Sequence, residues 1–173
     1  LFEIISGYST TGSSILTNVE ALSHANLFFR SFSHWIGGMG VLVFILAILP
    51  MTGGSTMNLL KAESPGPSVG KLVPKMRQTA FILYAIYFVM TIITIIFLLA
   101  GGMPLFESIC HAFGAAGTGG FGIKNDSLAG YSPYIQWVVT IFMILFGINF
   151  NAYYFILYRK FKSALAMEEV RWY

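Results

Sequence analysis

Two apolar stretches of this chain are too short to cross a bilayer, and each runs into a loop of glycine and hydroxyl residues. The first is Leu1–Tyr8, followed by Ser9-Thr10-Thr11-Gly12-Ser13-Ser14. The second is Pro104–Ala115, followed by Ala116-Gly117-Thr118-Gly119-Gly120-Phe121. A longer apolar segment follows each loop. Irregular backbone at membrane depth is tolerated only where protein buries it or where it lines a watery path, because hydrocarbon leaves its N–H and C=O groups unpaired. The repetition therefore predicts a pore lined by main-chain oxygens.

The membrane setting follows from the balance of residues. The chain is 56% hydrophobic and 10% charged, against about 25% charged in soluble domains. A soluble all-α domain would have to hide helices that are apolar on every face. The single cysteine, Cys110, leaves no disulfide or Cys-based metal site within the chain and reads as a small packing residue. Leu1 opens without a methionine or a charged leader region, and Phe2 and Glu3 fall inside a short helix, so the chain is expected to be a fragment of a longer protein.

Three segments reach the roughly 20 apolar residues that a span needs: Leu27–Pro50, Thr79–Ala100 and Tyr134–Tyr158. Pro104–Ala115, at ~1.5 Å per residue, reaches only about 18 Å, the length of a re-entrant half-helix. Gly101-Gly102 ends the span before it, Pro104 suits a first helical turn, and Glu107 sits where the helix dipole favours an acid. Eight of the ten Lys and Arg residues fall in two zones: Lys61, Lys71, Lys75 and Arg77, then Arg159, Lys160, Lys162 and Arg171. Three spans put both zones on one side, which the positive-inside tendency makes cytoplasmic, so both Thr-Gly loops enter from outside.

The expected fold class is thus all-α integral membrane, built of transmembrane helix, re-entrant pore helix, filter loop and transmembrane helix. The expected division is residues 1–50 as the end of a first pore repeat, 51–75 as a cytoplasmic linker, 76–158 as a second repeat and 159–173 as a cytoplasmic tail. Pro65, Pro67 and Pro74 with Gly53, Gly54, Gly66 and Gly70 exclude one continuous helix in the linker. The linker is read either as a surface for a cytosolic partner or as a plain solvated turn.

A cation such as potassium leaves water only if oxygens replace its hydration shell, and rings of backbone carbonyls do this. Glycine permits the conformations that turn successive carbonyls inwards. Thr10, Thr11, Ser13 and Thr118 add hydroxyl oxygens, and each half-helix presents a partially negative C-terminal end.

From Phe2 to Gly12 the sequence resembles the first filter region of the TrkH family of potassium uptake proteins. The likeness continues through Trp35-Ile36-Gly37-Gly38-Met39-Gly40, Ala47-Ile48-Leu49-Pro50 and Ala62-Glu63-Ser64-Pro65-Gly66. It then takes in His111-Ala112-Phe113, Thr118-Gly119-Gly120-Phe121 and Gly147-Ile148-Asn149-Phe150. The resemblance implies four pore repeats per subunit, a homodimer, a cytosolic nucleotide-binding subunit of the TrkA kind, and a multi-pass place in the plasma membrane. This chain would hold the end of repeat one and all of repeat two. Carried over, the ion-binding positions are Thr10, Thr11, Gly12 and Ser13, and Gly117, Thr118, Gly119 and Gly120. Potassium is the substrate; no covalently bound cofactor, transition-metal site, enzyme activity or nucleic-acid partner is expected. The second loop departs from the family pattern at Gly114-Ala115-Ala116-Gly117 and at Gly122, where hydroxyls are more usual. Those changes keep the backbone oxygens.

Rival readings attach to single features. A sodium-conducting or non-selective transporter of the same fold is the alternative within transport. A membrane-embedded hydrolase using Ser6 or Ser9 with His24 or His34 lacks an acid to orient the histidine. An inert scaffold would need no glycine-rich helix ends. Gly117–Gly122 satisfies G-x-G-x-x-G, but the polar run Ile123–Ser127 follows instead of a helix, so the match is read as accidental. Gly37-Gly38-Met39-Gly40 suits close helix packing, with a hinge as the sharper reading. Arg30 and His34 are expected to snorkel to the interface, with tuning of cation entry as the alternative. Asn149 and Asn151 are expected to bond between helices or line a pore. Tyr153, Tyr154 and Tyr158 fit an aromatic belt.

Overall fold

The computed structural model describes residues 1–40, 73–159 and 161–172. Among them the regular structure is helical, with no strand. The elements are α1 (Phe2–Tyr8), α2 (His24–Gly38), α3 (Val73–Ala100), α4 (Leu105–Ala116), α5 (Pro133–Gly147), α6 (Phe150–Leu157), α7 (Phe161–Leu165) and α8 (Glu168–Trp172).

The chain uses one plan twice. Short helices α1 and α4 each end in a loop, and each loop leads to a 15-residue helix, α2 or α5. Both longer helices start at a serine whose hydroxyl accepts a backbone N–H three residues on: Ser23 from Asn26 and Ser132 from Ile135. Serine is favoured there because it satisfies a donor that the first turn leaves unpaired. Both end at a glycine, Gly38 and Gly147.

Helix α4 lies at the centre. Leu98 of α3 and Ile135, Val138 and Val139 of α5 pack on its Ala112 and Ala115. Cys110 packs with Val19, Leu27 and Ile123, and Ala116 with Tyr87 and Phe146. Small residues let three neighbours approach one short helix. The free Cys110 is fully buried there.

Helix α3 is the one described helix long and apolar enough by itself to cross a membrane; α5 and α6 together would make a second. Only 22% of its most apolar window is buried. Phe81, Phe88 and Ile96 stand exposed on its surface, as an apolar helix facing hydrocarbon would have them.

Two expected spans are broken. Tyr134–Tyr158 is not one rod: α5 and α6 meet at 84°. Ile148 is extended at φ −69°, ψ 139°, and Asn149 opens α6, its Oδ1 accepting the Asn151 N–H at 2.9 Å. An asparagine that caps its own backbone favours a helix start over a helix interior. Asn149 therefore serves its own helix end, and its amide also reaches Glu169. In the same register α2 stops at Gly38, with Gly40 at φ +75° and its N–H bonded to Gly37 O at 2.8 Å. The rest of the expected first span, and most of the linker, lie outside the described residues.

Candidate functional site

The two loops are built alike. Thr10 and Gly12 have positive φ, +56° and +73°; Thr118 and Gly120 repeat this at +58° and +71°. A threonine in the left-handed region is strained, because its branched Cβ crowds the backbone. Such strain, about 1–3 kcal/mol per residue, persists only where surroundings impose it and clusters at functional sites. Finding it twice at one register makes these loops the candidate site.

The hydrogen bonds repeat as well. Thr10 N–H donates to Gly7 O at 3.0 Å, as Thr118 N–H does to Ala115 O at 3.0 Å. Gly12 N–H reaches Ser6 O at 3.4 Å, as Gly120 N–H reaches Gly114 O at 3.1 Å. The last carbonyls of each short helix thus take the N–H groups of residues 10–12 in the first loop and of Thr118 and Gly120 in the second. Among the described residues no backbone N–H donates to the carbonyl oxygens of residues 10–12 or 118–120. Each loop is left as a source of acceptors.

The loops meet. A Cβ built on Gly12 would collide with the Gly119 carbonyl oxygen and stand 2.8 Å from its carbon. Thr10 O lies 3.0 Å from where a Gly119 Cβ would be. Helix α2 brings them together through Gly37 and Gly38. A Cβ on Gly37 would be 2.8 Å from Gly7 O, and one on Gly38 2.9 Å from Ala116 O. The C-terminal ends of both short helices therefore rest on that glycine pair.

Behind the loops sits Arg30, which does not snorkel. Its Nε donates to Glu3 Oε2 at 2.6 Å, its Nη1 to Gly122 O at 2.8 Å, and its guanidinium lies 3.8 Å from the Phe121 ring centre. Glu3 Oε1 in turn accepts the Ser14 hydroxyl and the Ile15 N–H, each at 2.9 Å. One arginine ties the segments beyond both loops. His34, one turn along, is fully buried as well. Burial of both residues overturns the interfacial reading: Leu27, Arg30, Ser31 and His34 share one buried stripe of α2, and a stripe three-quarters polar carries no apolar period by which sequence would have shown it.

The segments after the loops are knotted through Asn125. Its Oδ1 accepts Val19 N–H at 2.8 Å, and its Nδ2 donates to Asn18 Oδ1 at 3.0 Å. Tyr131 donates its hydroxyl to Glu107 Oε2 at 2.6 Å. Burial and the neighbouring carboxylate push that phenol above its usual range.

Of the residues singled out in sequence, Thr10, Thr11, Gly12, Gly117, Thr118, Gly119 and Gly120 lie in the facing loops. Ser13 is turned to the supporting side, its carbonyl taken by the Ser6 hydroxyl at 2.6 Å. His111 is buried against Tyr131, ring centres 5.4 Å apart. No group of three or more His, Cys, Asp or Glu converges among the described residues. Backbone oxygen is what the site has to offer.

The profile of one family, described as TrkH, cation transport protein, matches residues 1–171. The Trk system potassium uptake protein TrkH of Salmonella typhimurium (strain LT2) is 39% identical over 159 residues, covering 90% of this chain and 33% of that protein. The potassium uptake protein TrkG of Escherichia coli (strain K12) is 36% identical over 162 residues, 92% of this chain and 33% of its own length. The crystal structure of the potassium transporter TrkH from Vibrio parahaemolyticus superposes with a TM-score of 0.70 at 28% identity, covering 94% of this chain and 32% of that one. The chain spans about a third of the length of these relatives.

Proposed function

Because the chain belongs to the TrkH family of cation transport proteins, we propose that it is part of a potassium uptake subunit whose two loops offer main-chain oxygens to a dehydrated ion. The family is one of transporters, and the reading needs no covalent step.

The observation that carries it is the strained Thr-x-Gly turn found twice at one register, at Thr10–Gly12 and Thr118–Gly120. Alternating the sign of φ along three residues turns neighbouring carbonyls towards a common side, whereas an extended strand alternates them. With most of the loop N–H groups bonded back to α1 and α4, carbonyl oxygens face the ion path. The C-terminal ends of both short helices add a partially negative field. Several weak sites in series let the ion leave as readily as it enters.

On this reading α1 and α4 are re-entrant pore helices, entered from outside, in a multi-pass plasma-membrane protein. Oxygens from two loops do not surround an ion, so two further repeats complete the cage in the whole protein. A homodimer and a cytosolic nucleotide-binding subunit of the TrkA kind complete the assembly by family likeness.

The test is uptake by the full-length protein in cells lacking their own potassium uptake. Rubidium should enter in preference to sodium, and Gly119→Val should abolish that preference. Equal rubidium and sodium uptake by the unaltered protein, or an unaffected Gly119→Val variant, would overturn the reading.

A further inference from the structure

His34 stands between the two loops. A Cβ on Gly117 would run into its Cδ2 and lie 2.8 Å from its Cγ; one on Gly119 would run into its Cε1 and Nε2. The ring therefore fills the space that side chains at both positions would need, and glycine there is the complement of the imidazole. Its nitrogens interact with the backbone of Thr10, in the first loop, and of Gly117, in the second. Both contacts fall short of full hydrogen-bond geometry, so the ring meets the two loops mainly through its shape. The ring is set edge-to-face on Phe121 at 4.7 Å between centres. Phe121 is itself covered by the Arg30 guanidinium.

We propose that His34 is a positioning residue for cation discrimination, its ring acting as the spacer that fixes how far the first loop stands from the second. This rests on the loops being the ion path. Discrimination between alkali ions depends on the size of the oxygen cage or on the number and field of its oxygens. A rigid planar ring between loops from different repeats sets the first of these. The ring touches the ion only through the backbone it holds.

The experiment is a size series in the full-length protein: His34→Phe, His34→Gln and His34→Ala, read as the ratio of rubidium to sodium uptake, with the amount of protein in the membrane measured alongside. Phe keeps the planar spacer and should stay close to the unaltered ratio. Gln should lower it, and Ala should lower it by about tenfold, or about 1.4 kcal/mol of lost discrimination. Gly119→Ala, harmful alone, should be partly rescued by His34→Ala, which vacates the space its Cβ needs.

If the Ala variant fails to accumulate, the Phe and Gln variants decide. A ratio unchanged across the series, or one that tracks only the amount of protein, would refute the spacer. So would a Gly119→Ala defect that is the same with and without the ring. Loss of rubidium preference in the unaltered protein would instead refute the underlying pore reading.

Discussion

The first loop holds its turn with hydroxyls: Ser9 Oγ lies 2.8 Å from Thr11 Oγ1, and the Ser6 hydroxyl donates to Ser13 O at 2.6 Å. The second holds the same turn by bulk, with the His34 ring against Gly117 and Gly119 and itself backed by Phe121. Backbone strain and N–H bonding are common to both. One backbone can thus be stabilised from inside by polar side chains or from outside by neighbours. The hydroxyls missing from the second loop mark that change of support and leave the ladder of oxygens in place.

The largest expected effect comes from the residue that both loops share. Arg30→Met leaves Glu3 charged with only the Ser14 and Ile15 bonds. Because Glu3 is partly exposed, the loss should approach but not reach the roughly 3–5 kcal/mol of a fully buried pair; thermal unfolding of the full-length protein in detergent measures it. Arg30→Lys separates the two sides. A single ammonium can still meet Glu3 but cannot also reproduce the flat contact with Phe121 and the bond to Gly122. The second loop should suffer more than the first, seen as faster proteolysis or hydrogen exchange at 117–123 than at 9–15. Equal loosening of both would break the contrast.

A smaller effect sharpens the comparison at matched glycines. At Gly12→Ala a methyl group would both enter the left-handed region and strike the Gly119 carbonyl, with overpacking adding about 1–3 kcal/mol. At Gly120→Ala the nearest neighbour is Met143 Cε at 3.7 Å, so only the backbone penalty of about 1 kcal/mol remains. Uptake should fall far more for the first. Indistinguishable variants would show that the loops do not meet as described.

The smallest effect concerns the strained threonines. Thr118→Gly should relieve about 1 kcal/mol of strain while loosening the turn, so stability holds or rises as rubidium preference falls. Thr10→Gly should lose less preference, because the Ser9–Thr11 hydroxyl contact still braces its loop. A stable Thr118→Gly protein with full preference would detach the strain from function.

The boundaries of α4 were legible in sequence, since Gly101-Gly102, Pro104, Glu107 and the small residues after Gly114 are local signals read by the backbone itself. So were the loops, because glycine and hydroxyl residues interrupt apolar runs. The end of α2 at Gly38 falls within the glycine run for which a hinge is the sharper reading, whereas the break at Asn149 is hidden by apolar length, which says nothing of capping chemistry. Asn149 two residues after Gly147 carried the signal.

What the chain alone determined is its class and its punctuation: apolar helices, two of them too short to cross, each ended by residues that admit a left-handed turn. Those are properties of neighbouring residues, fixed by sterics and by hydrocarbon's inability to pair a free amide. Only the tertiary structure decided that Gly12 meets Gly119, that Arg30 and His34 go inwards, and that one helix seats both short ones. Such facts depend on which distant segments share a surface. A polar side chain on an apolar helix points to protein or to the interface according to what packs against it.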